Sequence, residues 1–256
     1  MLDLMCDSMK LIVLGSGTCV PSLNRNAPGY YLEAGDRRIL LDCGSGTLLQ
    51  LERAGKSYRD IDAVFITHTH PDHFADLMPL IHALRATPGF KRAKTLFIVA
   101  PSLFIEYYDR AIATVLGRPR EFSIQRIRMP EEMDFRPFNV RAAKTVHSQD
   151  SIAYRFEYGG RAIVFTGDAD YDKGIVDLSR DADLLIADCS FPDANKARGH
   201  LSARQCGLVA REAGVKKLLL SHIYPADTPD IDRVREGREE FGGEVVLAED
   251  LMEISI

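Results

Sequence analysis

What this sequence lacks narrows its function before anything it contains. No apolar run in its 256 residues approaches the roughly 20 that cross a bilayer, so no membrane-spanning helix and no membrane partner is expected. There is no surplus of basic charge. The 32 lysines and arginines face 37 aspartates and glutamates, for a formal net charge of -5, which argues against a surface that grips long nucleic acid over its whole extent. The opening MLDLMCDSMK has no basic segment followed by an apolar one, so it does not read as a signal peptide. Residues 1–8 are expected to form a leader without fixed structure and residues 9–256 a single domain, with Met9 as an alternative start. None of the five cysteines (Cys6, Cys19, Cys43, Cys189 and Cys206) stands in a C-x-x-C pair. Their odd number and scatter fit free thiols in a reducing cytoplasm. Low-complexity linkers and short-period repeats are absent too. The remaining composition, 46% hydrophobic with both charge signs mixed, is that of an ordinary globular chain.

The apolar segments alternate between two periodicities. KLIVLGS, from Lys10, reads as a first strand. GYYLEAG and RRILLDCG, parted by the turn GDR, read as a hairpin. TLLQLERAG is a short helix stopped at Gly55, and IDAVFIT is a buried strand. In ADLMPLIHALRA, the residues Leu77, Leu80, Ile81 and Leu84 make one helical face, which leaves His82 off the stripe and exposed. KTLFIVA is a strand and LFIEYYDRAIATVLG a helix. The second half repeats the texture with the hairpin IAYRFEYGGRAIVFTGD, the strand DLLIADC and the helix ARQCGLVAREAG. The strand KKLLLSH, the helix DRVREGREEFGG and the strand EVVLAED close it. Two β-rich halves, each carrying helices, predict an α/β fold of two packed mixed sheets with helices outside.

Three of the seven histidines crowd into THTHPDH at residues 67–73, directly after a predicted buried strand. His68 and His70 are two apart, so extended backbone puts them on one face. Pro71 turns the chain, and Asp72 and His73 begin the next element from another direction. Imidazole and carboxylate together suit zinc, and also manganese or iron. Burying four such groups unliganded would cost free energy that packing does not require.

His68-x-His70-x-Asp72-His73 resembles the signature of the metallo-β-lactamase superfamily. Later marks follow in order: His147 after RAAKTV, Asp168 in FTGDAD and His222 in LLLSHIYP. The resemblance implies a four-layered αβ/βα sandwich with two divalent metal ions, zinc first, at one edge of the paired sheets. It implies that His68, His70 and His147 hold one ion, that Asp72, His73 and His222 hold the other, and that Asp168 bridges them. Two ions roughly 3.5–4 Å apart can hold a hydroxide and polarise a substrate oxygen, which makes a hydrolase for anionic substrates. Asp72 is counted as catalytic as well as a ligand. Asp42, in LLDCGSG, either orients a ligand histidine or is a turn carboxylate. GSGT at 15–18 resembles a phosphate loop only loosely, since no lysine completes it.

The stretch from Asp188 to His222 resembles the ribonuclease Z and phosphodiesterase branch, with His200 opening HLSA and Asp188 standing where glutamate is usual. The resemblance implies that His200 protonates the leaving alkoxide and that Asp188 orients it. On the residues alone, His200 equally reads as a position before a helix capped by Ser202. VPSLNRN resembles the early loop of that branch. The departure is between His147 and Asp168, where only one hairpin stands in place of the long arm that clamps transfer RNA. GFKRAK, GRPR and QRIR either bind phosphate or are solvated surface. Tyr30, Tyr31, Tyr107, Tyr108 and Tyr224 either stack a base or pack locally. Cys189 reads as a small packed residue. The first expectation is a dinuclear phosphodiesterase for small, cyclic phosphodiesters, acting as a homodimer. A transfer-RNA 3′-processing endoribonuclease is the alternative. A di-iron redox protein is disfavoured by His70, and a non-catalytic metal-binding protein by the complete ligand set.

Overall fold

Strict alternation of side chains builds the layers. In β1 (Lys10–Gly15), Leu11 and Val13 enter one buried cluster, and Ile12 and Leu14 enter another on the opposite face. The same division recurs in β2 (Gly29–Ala34), where Leu32 and Tyr31 part, and in β3 (Arg37–Cys43), where Ile39 and Leu41 part from Leu40. The computed structural model describes residues 8–225 and 230–256. The expectation for the leader therefore lies, Ser8 apart, outside the described residues. Met9 is fully buried and exchanges backbone hydrogen bonds with Ile256.

The described strands form two seven-stranded sheets. The first adds β4 (Ala63–Phe65), β5 (Leu96–Ala100), β6 (Ile124–Arg128) and β14 (Glu253–Ser255), in the order β14-β1-β2-β3-β4-β5-β6. The second contains β7 (Glu132–Phe135), β8 (Phe138–Lys144), β9 (Ile152–Tyr158), β10 (Arg161–Phe165), β11 (Leu184–Asp188), β12 (Lys217–Ser221) and β13 (Glu244–Leu247). Its order is β13-β12-β11-β10-β9-β8-β7. Both sheets are mixed. Parallel pairs run from β3 to β6 in the first and from β10 to β13 in the second. Phe65, Tyr154, Phe156 and Leu219 meet between the sheets. The outer face of the first sheet is covered by α1 (Thr47–Arg53), α2 (Leu77–Ala86) and α3 (Ser102–Tyr107). That of the second is covered by α5 (Lys173–Leu178), α6 (Ala203–Ala213) and α7 (Asp230–Phe241). This is the predicted αβ/βα sandwich.

Three differences from the sequence reading have local causes. The helix expected over LFIEYYDRAIATVLG breaks into α3, a widened turn at Tyr108–Ile112 and α4 (Ala113–Leu116). The strand expected over IDAVFIT pairs only through Ala63–Phe65 before the chain departs toward the histidines. Strands β6, β7, β8 and β14 and helix α5 were not expected at all. His82 is exposed and Cys189 is fully buried, as read. Among the described residues no helix is long and apolar enough to cross a membrane.

Candidate metal centre

The strand ends of both sheets converge on one edge of the sandwich. Beyond β4 come His68, His70, Asp72 and His73, and beyond β3 lies the turn after Asp42. From the second sheet, His147 follows β8, Asp168 follows β10, Asp188 ends β11 and His222 follows β12. Pro71 starts a single turn over Pro71–His73, which separates His70, in extended backbone, from His73. That turn lies against the backbone at Gly44. A Cβ there would stand 2.0 Å from the Asp72 carbonyl oxygen, so only glycine lets the two segments meet.

All seven expected ligands come together, in two groups that share Asp168. His68 Nε2 and His147 Nε2 lie 2.9 and 3.0 Å from His70 Nδ1, and 3.8 and 3.4 Å from Asp168 Oδ2. On the other side, His73 Nε2 and His222 Nε2 are each 3.2 Å from Asp168 Oδ1. They stand 3.6 and 3.7 Å from Asp72 Oδ2. His68, His70, His147 and Asp168 gather their ligand atoms within 4.8 Å of one another, as do Asp72, His73 and His222, and as do Asp168, Asp188, His200 and His222.

The ring nitrogens that face away are tied down. His73 Nδ1 donates to Asp42 Oδ2 at 2.6 Å, while Asp42 also accepts from the Thr67 amide at 2.8 Å. This selects the orienting reading of Asp42 over the turn carboxylate. Thr67 Oγ1 donates to Asp42 Oδ2 (2.9 Å) and so can accept from His68 Nδ1 (3.0 Å). His147 Nδ1 donates to the Gly199 carbonyl at 2.9 Å. Ser190 Oγ donates to Asp188 Oδ1 at 2.7 Å and accepts from His222 Nδ1 at 3.0 Å. In each case the hydrogen bond places a proton on Nδ1 and turns Nε2 inward, toward the cluster. Thr67, Ser190 and Gly199 were not found in the sequence, since nothing in their type or spacing marks them. Asp42 and His222 both hold left-handed backbone (φ 54° and 58°), a strain tolerated where it aims a functional group.

His200 joins this cluster from the loop before α6. Its Nδ1 lies 2.8 Å from Asp188 Oδ2 and its ring stands edge-on to His147 at 4.8 Å. Ser202 caps α6 as well, reciprocally with Gln205, so the two sequence readings of this stretch coexist. Burial opposes a charge on His200, but the carboxylates of Asp188 and Asp168 override it and raise the pKa. The same contest divides the ligands. Burial holds His68 well below and His147 below the usual imidazole range. At His73, burial is outweighed by Asp168 and Asp42, which push it well above that range. At His222 burial is outweighed by Asp168, Asp188 and Asp72, which push it to about 10.

The cluster fits a pair of cations. His73 Nε2, His222 Nε2 and Asp168 Oδ1 are buried with no hydrogen-bond partner, and all three face one point. Leaving one buried polar atom unsatisfied costs about 1–3 kcal/mol, so three converging on one point ask for a ligand. Histidine with carboxylate is a donor set that zinc, manganese and iron accept.

Two half-sites of imidazole and carboxylate, joined by a shared aspartate at the edge of an αβ/βα sandwich, define the class of metal-dependent hydrolases. Residues 37–223 match the family described as the beta-lactamase superfamily domain, and the chain belongs to that superfamily. It is 32% identical to the probable metallo-hydrolase YhfI of Bacillus subtilis over 245 positions, covering 94% of this chain and 97% of that one. The crystal structure of YhfI superposes with a TM-score of 0.86 at 28% identity, covering 98% of this chain and all of that one. Ribonuclease Z of Archaeoglobus fulgidus is 29% identical over 304 positions, covering 96% and 97%. The short form of human tRNase Z superposes with a TM-score of 0.77 at 25% identity, covering 96% and 98%. An alignment of 304 positions against 256 residues leaves at least 48 positions of the Archaeoglobus alignment without a counterpart here (304 minus 256).

Proposed function

We propose that this hydrolase cleaves small phosphodiesters, cyclic nucleotides among them, in the cytoplasm, with two divalent ions, zinc first. His68, His70 and His147 would hold one ion, Asp72, His73 and His222 the other, and Asp168 would bridge them. Bound there, the ions would supply Lewis acidity and an activated water at neutral pH. The chain's own residues aim and charge the rest. Asp42, Thr67, Ser190 and Gly199 fix which nitrogen each ligand presents. Asp72, 11% exposed, brings a carboxylate to the open side, in keeping with its double role.

The observation that carries the reading is the His200–Asp188 pair beside the ligand cluster. Phosphodiester hydrolysis breaks a P–O bond and leaves its electron pair on an alkoxide, a poor leaving group. His200 Nδ1 is committed to Asp188, so Nε2 is the nitrogen that can pass a proton to that oxygen. The products are a phosphomonoester and an alcohol, with water adding to phosphorus. A small substrate is favoured because β9 and β10 are joined by a tight hairpin within the sheet, with no arm projecting between His147 and Asp168.

The second reading is a transfer-RNA 3′-endonuclease, and the relatives named ribonuclease Z favour it. The deciding experiment is a screen of metal-loaded protein against bis-p-nitrophenyl phosphate, cyclic nucleotides, lactones and precursor transfer RNA. Turnover of cyclic nucleotides above the other three is expected. Cleavage of precursor transfer RNA at higher kcat/KM would transfer the assignment to the second reading, and lactone turnover alone would overturn both.

A further inference from the structure

Of the tyrosines that the sequence offered as base-stacking candidates, Tyr30 and Tyr31 are buried in strands and Tyr108 is buried in a helical turn. Tyr107 packs on Phe74 and Phe104. Tyr224 is different. It lies two residues beyond His222 and meets the His222 and His200 rings at 5.8 and 6.1 Å, steeply inclined to both. It is stacked on Phe191 at 5.0 Å with 16° between the planes. The loops that carry Ser190 and His222 thus each contribute one ring to a parallel pair. Its hydroxyl lies 3.5 Å from Cys19 Sγ, on the loop between β1 and β2. The ring is half-buried, and it lines a cavity of about 530 Å3 that begins at Ile223, directly after His222.

The rest of that cavity selects what it takes. Ser22 and Asn24 offer hydrogen-bonding groups, while Val20 and Pro225 add apolar surface. Glu249 and Asp250 place two carboxylates in the wall, Asp250 also accepting hydrogen bonds from Ser16, Asn26 and Gln50. The single guanidinium, Arg25, is engaged by Ser16 Oγ at 2.7 Å and by the Ala248 carbonyl. A polyanionic strand running through such a cavity would meet repulsion, whereas a neutral planar group with polar edges would not. The volume lies in the range that small-molecule sites occupy. His200, the proton donor of the proposed reaction, flanks the same aromatic pair, 6.1 Å from Tyr224 and 6.5 Å from Phe191, and Tyr224 is the ring that also lines the cavity.

We infer that this cavity is a nucleoside subsite, in which Tyr224, held by Phe191, stacks the base of a single nucleoside on the leaving side. The inference rests on the phosphodiesterase reading and names its substrate class as nucleoside phosphodiesters. Tyr224 is then a specificity residue and takes no part in holding metal.

Two measurements test it. The first is binding of adenosine, which needs no turnover, read by ligand-detected NMR and calorimetry on the full chain. Tyr224→Phe keeps the ring and is expected to bind as the natural protein does. Tyr224→Leu keeps bulk without aromaticity, so it guards against loss of fold, and should weaken binding roughly ten-fold or more. The second compares adenosine 2′,3′-cyclic phosphate with the 2′,3′-cyclic phosphate of methyl riboside, which expels the same kind of alkoxide but carries no base. The natural enzyme should prefer the adenosine compound in kcat/KM, and Tyr224→Leu should reduce that preference roughly ten-fold or more. Equal adenosine binding in the natural protein and Tyr224→Leu would overturn the inference, as would an unchanged preference. So would a single-stranded oligonucleotide that displaces adenosine more tightly than adenosine 5′-monophosphate does. If no phosphodiester is turned over while adenosine binding still depends on Tyr224, the proposed function fails and the nucleoside subsite stands.

Discussion

At Asp168 the two carboxylate oxygens face different histidine groups, and the groups differ in protonation. Without metal, His73 and His222 are held charged by the surrounding carboxylates, whereas burial holds His68 and His147 neutral. Filling the His73–His222 half must therefore expel protons, and filling the other half need not. Calorimetric metal titrations in buffers of different ionisation enthalpy should show about two protons released for one ion and close to none for the other. Equal release for both ions would contradict the division. The sign for stability follows from His222, whose folded value of about 10 lies above its ordinary 6.5. In stripped protein its contribution is complete below pH 6.5 and is lost as the pH rises through 10, so Tm should fall across that window. Metal-loaded protein should not show this loss, because the ion replaces the proton. His200 gives a second residue-scale expectation. His200→Ala should keep both ions, reduce p-nitrophenyl ester turnover modestly, and reduce turnover of a ribose ester by about 10²-fold or more. Equal losses on the two substrates would give His200 a binding role instead. Asp188→Asn should additionally lower occupancy of the His222 half, because Asp188 also anchors Ser190, which holds His222.

The loop 189–202, which carries His200, is fixed at its far end by the cap of α6, so under the proposed function that cap helps to place the proton donor. Ser202 Oγ accepts from the Gln205 amide and donates to Asp193 Oδ1 at 2.7 Å, binding the loop start to the helix start. Ser202→Ala should cost about 1 kcal/mol, read as a drop of a few degrees in Tm, with metal content unchanged. An unaltered Tm would show that the cap is not stabilising. At this scale the sequence was legible where strands are central. The central strands β2, β3, β5, β9, β10, β11 and β12 bury both faces or nearly so, and their apolar runs stood out. The unexpected β6, β7 and β14 are all edge strands, and β8 lies next to an edge. In β6 no residue is buried, and in β7 only Phe135 is, so there was little periodicity to read. The candidate ligands stood out because their chemistry is unusual and closely spaced. Of their anchors only Asp42 was offered by the sequence, because pairings such as His147 with Gly199 join loops 52 residues apart through a carbonyl that every residue has.

Across the whole molecule, each half of the fold brings candidate ligands to the same edge, and the charge balance is acidic. With a net charge of -5 and no arm projecting between His147 and Asp168, the proposed function has a small substrate recognised at the candidate metal edge and the adjoining cavities. That makes salt the sharpest probe of substrate size. Each phosphate neutralised by a basic side chain contributes a slope of about -0.7 for single strands or -0.9 for duplexes in log affinity against log salt. A clamp on folded RNA making six or more such contacts would lose about 10³-fold or more between 50 and 200 mM salt. A cyclic nucleotide held mainly by metal ligation and stacking should change its KM by only a few-fold over the same range. The measurement is KM for a cyclic nucleotide and Kd for precursor transfer RNA, both on metal-loaded protein at matched salt. A shallow slope for the nucleotide, with RNA binding that is weak throughout, is the expected pair of results. A steep slope accompanied by tight RNA binding at low salt would mean that the basic clusters in GFKRAK, GRPR and QRIR grip a backbone despite the overall charge, and the small-substrate reading would fall with it.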